Sequence, residues 1–302
     1  MRVLLIHRYY WPDKAPCAGI LRWVARHLVT KGHSVDVLSS QPSYHGSSEL
    51  DRRPKKEVLD GVRITRLSLP HEAGRMFFRI FNALYLGVWI VFKAITGRYE
   101  VIIIATVPPV LGGFFSAIAS RLTKARLIYY CMDLHPNIGR LSGDFANPLL
   151  YRLLQTIDDW SCRQANPVLV HSEDMRNTLL ERPRGSEYRI EILNNFALPS
   201  EDHVKISPSV FIDTSQNRLT LVYAGNIGRF QGLETLLNAM ILVSHRRDIA
   251  LIIMGEGVAK AALMEQQKRM NANVIFLDYQ PVEVAKQIIH QADTRALASA
   301  SR

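Results

Sequence analysis

Gly225, Gly228 and Gly232 fall in one short stretch, Ala224-Gly-Asn-Ile-Gly-Arg-Phe-Gln-Gly-Leu233, between an apolar run and a helical pattern. Glycine carries no Cβ, so such a loop turns tightly and lets a ligand approach the backbone. The helix that follows offers unpaired amides and a positive dipole end, which suit phosphate. Arg229 stands inside the loop. There it reads either as a solvated surface charge or as a guanidinium that grips a diphosphate through two parallel hydrogen bonds. The chemistry indicated is anion binding, with a nucleotide as the expected ligand.

Other candidates sit at the ends of apolar runs. Gly255-Glu256-Gly257 reads either as an ordinary turn with a surface Glu or as a loop on the nucleotide side. Asp278-Tyr279-Gln280 holds the equivalent place after the next run. Pro16-Cys-Ala-Gly19 precedes a helical pattern, as a simple turn into the helix or as a Gly-rich ligand loop. Asp133 and His135 follow the run Leu127–Cys131, where strand ends face a cleft, although a His before Pro is also commonly structural. No Asp-x-Asp pair is present, so neither a metal nor another cofactor is expected. Cys17, Cys131 and Cys162 are too few and scattered for a disulfide framework or a metal site, which suits a reduced cytoplasmic compartment.

These residues need strands and helices to hold them. A chain of 302 residues suits two domains. Arg2–His7, Ser34–Leu38, Val62–Leu67, Val101–Thr106, Arg126–Cys131, Pro167–His171 and Arg189–Leu193 read as strands. Helical patterns at Ile20–Lys31, Val110–Leu122, Leu149–Ala165 and Glu173–Leu180 fall between them, with Pro12–Gly19 as a loop. Val3–Ile6 is too short for a secretory signal and reads as the first strand of the fold. A Pro-, Ser- and Asp-rich segment from Asn194 to Arg218 breaks the alternation, which then resumes at Leu219–Ala224, Ile249–Met254 and Val274–Leu277 with helices between. The expected organisation is a domain over 1–196, a connection over 197–218 and a second domain over 219–302. Both are doubly wound α/β units with parallel sheets, and a ligand cleft is expected between them.

The formal charge of +10 is unevenly placed: residues 1–200 hold 26 Lys/Arg against 17 Asp/Glu, residues 201–302 hold 11 against 10. A basic first part suits anionic lipid or a phosphorylated substrate, and no nucleic-acid-binding motif accompanies it. Met76–Thr96 is apolar and aromatic-rich, but only Ile80–Phe92 is uncharged, short of the roughly 18–20 residues a membrane span needs. Three readings stay open for it: a buried helix of the first domain, an interfacial helix on an anionic membrane, and a span.

Tyr223-Ala-Gly-Asn-Ile-Gly-Arg-Phe-Gln-Gly-Leu-Glu234 closely resembles the donor loop of retaining GT-B glycosyltransferases of family 4, and is most similar to bacterial capsule, O-antigen and colanic-acid-type sugar transferases. The opening strand with Tyr9-Tyr-Trp-Pro12, Asp133-Leu-His-Pro136, Val170-His-Ser-Glu-Asp-Met175, Asn194-Asn-Phe196 and Ile253-Met-Gly-Glu-Gly257 occur in the same order as in those enzymes. The resemblance implies a GT-B fold of two Rossmann-like domains facing a cleft, the second holding a nucleotide sugar, with UDP as the expected nucleotide, and the first the acceptor. It places Gly225, Asn226, Gly228, Arg229 and Gln231 at the donor diphosphate, with Gly255 and Glu256 on the nucleotide side. Gly19 meets the ligand from the first domain, and Asp133 and His135 take catalytic or sugar-contacting roles. Many relatives carry Arg at 226 and Lys at 231, whereas the subgroup this chain resembles puts its basic residue at 229. The implied activity is sugar transfer, with retention, to a lipid-linked saccharide on the inner face of the cytoplasmic membrane, peripheral binding being provided by Met76–Thr96.

The resemblance also carries an expectation about the end of the chain. Relatives continue into a pair of Glu residues that contact sugar and ribose, whereas Thr294-Arg-Ala-Leu-Ala-Ser-Ala-Ser-Arg302 does not continue the strand that His290–Asp293 begins. A truncated second domain is expected, and with it a second reading of the chain as an inactive remnant with residual membrane or nucleotide binding. A GT-B sugar-nucleotide epimerase is the third.

Overall fold

Short β-branched runs favour parallel strands whose two faces are both covered by helices. In the computed structural model, which describes residues 1–13, 15–43, 52–70, 72, 76–141, 147–196, 219–229, 231–270, 272–280, 282–292 and 294–295, these runs form two sheets. They belong to two compact units, Met1–Pro199 and Ser200–Arg302. The expected connection at 197–218 and the tail at 296–302 lie outside the described residues, as do Arg75, Phe230 and Asp293.

In the first unit the elements run β1 (Arg2–Ile6), α1 (Pro16–Thr30), β2 (Ser34–Ser40), β3 (Lys56–Leu59), β4 (Val62–Leu67), α2 (Met76–Gly97), β5 (Val101–Ala105), α3 (Leu111–Thr123) and β6 (Arg126–Tyr130). Then follow α4 (Asn137–Leu141), α5 (Pro148–Gln164), β7 (Val168–Val170), α6 (Glu173–Leu180) and β8 (Ile190–Ile192). The sheet order is β3-β4-β2-β1-β5-β6-β7-β8, so the winding reverses between β1 and β5. All pairs are parallel except β3 with β4, a hairpin missing from the sequence expectation. Its turn is Asp60-Gly61, both at positive φ (53° and 76°), the left-handed pair a two-residue hairpin requires.

α1 begins at Pro16, which corrects the reading of Pro12–Gly19 as one loop. Proline is pre-organised for the first helical position, where its missing N–H is no loss. Gly19 therefore lies in the first turns of a helix.

α2 is a two-faced helix that matches none of the three readings of the aromatic segment in full. Leu86, Ile90 and Ala94 are sealed into the core shared with β1, β5 and β6. Gly87 lets α3 in close: a Cβ there would sit 2.2 Å from the Phe115 ring. Phe77, Phe81, Leu84, Val88, Phe92 and Ile95, spaced as one helical face, are exposed, Phe77 at 73% and Val88 at 61%. The helix passes a length and composition test for a span, yet it is neither wholly buried nor free on all sides.

The second unit contains β9 (Leu219–Ala224), α7 (Leu233–Leu242), β10 (Ile249–Met254), α8 (Lys260–Lys268), β11 (Val274–Leu277), α9 (Val282–Gln291) and β12 (Thr294–Arg295). Its parallel sheet has the order β11-β10-β9-β12. β12 corrects the expectation that Thr294-Arg295 would not continue the strand: Thr294 pairs with Leu221 and Arg295 with Val222. Winding reverses between β9 and β12.

His7 is wholly buried just past β1, where Tyr9 N–H donates to its Nδ1 at 3.0 Å and the Cys17 thiol lies 3.7 Å from Nε2. Burial lowers its pKa to about 4. A depressed folded pKa means that stability is fully present above the unfolded value and is lost as pH falls toward the folded one. Unfolding free energy should drop by about 3 kcal/mol between pH 6.5 and 4 from this group. In NMR titrations the imidazole should stay neutral to near pH 4; a midpoint near 6.5 would contradict this. Gly87→Ala should cost about 1–3 kcal/mol in thermal unfolding, because the helix pair cannot keep its spacing around the added methyl.

Candidate functional site

In doubly wound sheets ligands bind beyond the carboxyl ends of the strands, where the winding reverses. In the second unit that place is the end of β9, and the glycine loop is there. The ladder between β9 and β10 continues past both strands. Gly225 N–H donates to Met254 O at 3.0 Å, Ile227 N–H to Glu256 O at 2.8 Å and Ala259 N–H to Ile227 O at 3.0 Å. Ile227 is fully buried and plugs the loop into the core under α7. Tyr223 Oη donates to Asn226 O at 2.7 Å.

The two loops touch too closely for side chains. A Cβ on Gly255, whose φ is +146°, would lie 1.9 Å from Gly225 O, and one on Gly257 would lie 2.2 Å from Ile227 O. Six of the singled-out residues thus share one platform: Gly225, Asn226, Gly228, Gln231, Gly255 and Glu256. A Cβ on Gly228 would meet Gln231 Oε1 at 2.5 Å and Asn226 Nδ2 at 2.7 Å. Gln231 Oε1 is buried without a hydrogen-bond partner. Gly232 caps α7 at φ 61°, with no side-chain cap on the first-turn amides. Among the described residues the amides of Asn226, Gly228 and Arg229 donate no hydrogen bond, and the exposed Arg229 forms no ion pair. The platform therefore presents donors and one positive side chain to solvent.

Lys260, on the first turn of α8, was not singled out from sequence. Its Nζ donates to Glu256 Oε1 at 2.8 Å and to Asp278 Oδ1 at 2.6 Å, joining the loops after β10 and β11. Partial burial opposes its charge, but the hydrogen bonds to Asp278 and Glu256 prevail and raise its pKa. Tyr279 N–H also reaches Glu256 Oε1, at 3.3 Å.

In the first unit the loop after β6 is held from two sides. Thr106 Oγ1 accepts from Met132 N–H at 2.7 Å and Asp133 N–H at 3.3 Å. Arg182, almost wholly buried, donates to Asp158 at 2.7 Å, Asp159 at 3.1 Å, His135 O at 3.0 Å and Asn137 Oδ1 at 2.9 Å. Full burial pushes the Asp158 carboxyl up despite Arg182 and the Tyr129 hydroxyl at 2.8 Å. On this base Asp133 stands exposed, while His135 is half-buried with Nδ1 unpartnered. Burial lowers the His135 pKa, with Asp133 and Asp158 opposing it. Cys17, in the first turn of α1, is close enough that Asp133 contributes to its raised pKa of about 11, for which burial is the main cause. This direction favours the neutral thiol. Gly19 follows two residues later on the helix. Among the described residues no group of three or more His, Cys, Asp and Glu side chains is placed to hold a metal ion.

Comparison with known proteins agrees with both halves. Residues 18–195 match the family described as glycosyl transferase 4-like domain, and residues 218–302 match glycosyl transferases group 1. A probable glycosyltransferase, WbjE of Pseudomonas aeruginosa, is 28% identical over 133 residues, covering 40% of this chain and 32% of WbjE, about a third of that relative's length. The crystal structure of Anabaena Alr3699/HepE in complex with UDP matches 100% of this chain and 75% of its own, with a TM-score of 0.61 and 15% identity. WaaG, described as a glycosyltransferase involved in lipopolysaccharide biosynthesis, matches 99% of this chain and 75% of its own, with a TM-score of 0.62 and 14% identity. These structural likenesses show the fold, two Rossmann-like α/β domains of the GT-B class. The first family match spans more than half of the sequence, and so the chain belongs to the glycosyl transferase 4-like family.

Proposed function

We propose that this protein transfers a sugar, with retention at the anomeric carbon, from a UDP-linked donor to a lipid-linked saccharide in surface polysaccharide synthesis. The interlocked loop pair at the end of β9 carries this reading, because it gathers amides without an internal acceptor, a helix N-terminus and the exposed Arg229 in one short stretch. UDP is the nucleotide in the HepE complex, which shares the fold.

The main barrier to such a transfer is charge on the departing diphosphate. Preorganised donors lower it most where that charge develops. The amides of Asn226, Gly228 and Arg229, the start of α7 and the Arg229 guanidinium serve that role. Gln231 Oε1, unpartnered, accepts from a donor hydroxyl, and Gly255 keeps the nucleotide side of the platform open beside Glu256. The acceptor hydroxyl attacks the anomeric carbon on the leaving-group face. As the new C–O bond forms, the bond to phosphate breaks, and the hydroxyl proton passes to the departing phosphate oxygen. No pair of carboxylates at hydrolase spacing is needed for that course. On the first unit, Asp133 and neutral His135, with Gly19 on α1, are assigned to the acceptor saccharide.

The acceptor is placed at a membrane. The exposed face of α2 is apolar along its whole length, and the surrounding unit is basic, the pairing that binds an interfacial helix to the anionic inner leaflet. The protein is accordingly cytoplasmic and peripheral.

Arg229→Ala should weaken UDP binding by roughly 10- to 100-fold in isothermal titration, the range for one lost charge-assisted pair. Unchanged affinity would remove the diphosphate assignment. Val88→Ser with Phe92→Ser should lower retention on anionic vesicles by at least about tenfold while leaving UDP binding alone. Full retention by that double variant would place the membrane contact elsewhere.

A further inference from the structure

Beside the last turns of α2, at the edge of the first sheet opposite its ligand-binding ends, lies a cleft of about 640 Å³. Arg2, Lys56, Arg63 and Lys93 line it around Asp36 and Tyr99. Asp36 is buried and already spent: Arg63 Nε reaches it at 2.5 Å, the Tyr99 hydroxyl donates to it, and Arg2 lies 3.7 Å away. Glu57, the other acid of the cleft, is taken by Arg66 at 2.6 Å and Arg53 at 3.4 Å. Of the four cations, only Arg63 and Arg2 pair with Asp36 among the described residues.

The other two, Lys93 and Lys56, keep hydrogen-bonding capacity to spare. Lys93 donates to Thr65 Oγ1 at 2.9 Å, leaving two ammonium protons. Lys56 stands opposite Thr65 in the β3–β4 register, which puts it on the same face, and it forms no ion pair among the described residues. Burial lowers the Lys93 pKa, and Lys56, Arg63 and Arg2 add to this while Asp36 opposes it. The cleft is short of negative charge.

Its position supplies the second half of the inference. Thr96, which lines the cleft one turn after Lys93, also lies one turn after Phe92, which is 55% exposed, and so joins the cleft to the exposed face of α2. A ligand with a phosphate in the cleft would continue directly onto an apolar helix face. Inorganic phosphate has nothing to place there; a phospholipid has acyl chains.

We propose that the cleft holds the phosphate of an anionic phospholipid headgroup through Lys56, Lys93, Arg63 and Arg2, with the acyl chains along the exposed face of α2. This is a lipid site separate from the donor and acceptor chemistry. It rests on the membrane reading of α2 for its lipid source, and it would fix how far the helix rolls into the leaflet.

The test uses the full chain at one ionic strength. Retention is measured on phosphatidylcholine vesicles and on vesicles that also contain phosphatidylglycerol. Water-soluble dihexanoyl-phosphatidylglycerol and inorganic phosphate are titrated separately. The wild type should prefer the anionic vesicles, and Lys56→Gln and Lys93→Gln should each reduce that binding about fivefold, with binding to neutral vesicles and to UDP unchanged. Dihexanoyl-phosphatidylglycerol should bind more tightly than inorganic phosphate and lose affinity in the same variants.

Variants that bind anionic vesicles like the wild type would overturn the cleft, as would inorganic phosphate binding equally well. Equal retention on both vesicle types would overturn the cleft and leave α2 as a membrane helix. Lysine-dependent binding of the soluble lipid without vesicle retention would keep the cleft and remove the membrane reading. No binding in any arm would overturn both.

Discussion

The carbonyl of Gly225 occupies the place where a side chain at position 255 would begin. That single steric constraint governs the second unit. It permits the β9–β10 ladder to run past both strands, so two loops that would otherwise move separately become one surface. Ile227 is buried under α7, and the amides on either side of it donate no hydrogen bond among the described residues. An anion site made of backbone needs this rigidity, because amides that must reorganise on binding stabilise charge less well than amides already in place.

The first unit solves a related problem with side chains. Its loop after β6 has no glycine pair to lock it, so Arg182 reaches from the segment after α6 and holds one carbonyl, one amide side chain and two carboxylates. Removing such a partner leaves buried charge uncompensated. The loop that carries Asp133 and His135 is therefore held by electrostatics in place of close backbone packing. The same unit exposes an apolar helix face that a protein wholly in water would be expected to cover. The proposed donor chemistry, acceptor placement and membrane contact fall on different parts of the chain, in keeping with its uneven charge.

Much of this was legible in sequence, for identifiable reasons. Strands of both sheets are short apolar runs separated by helices, and that alternation is a strong signal. The glycine loop was legible because three glycines before a helix have few other uses. The hairpin strand Lys56–Leu59 was not: two charged residues in four hide its pattern, although Asp60-Gly61 was the available turn signal. Pro16 likewise marked the true start of α1. The two faces of α2 could not be separated because both are apolar, and only packing against α3 shows which one is inside. Arg182 and Lys260 carry no local signature at all. Each matters through partners that are far away in sequence, such as His135 and Asp278.

The most direct measurement is a titration of glycine-selectively ¹⁵N-labelled protein with UDP, followed by amide shifts. Changes concentrated at Gly225, Gly228, Gly232, Gly255 and Gly257 are expected for a diphosphate held on the interlocked loops. No change at millimolar UDP, or changes confined to glycines of the first unit, would contradict a nucleotide-sugar site there.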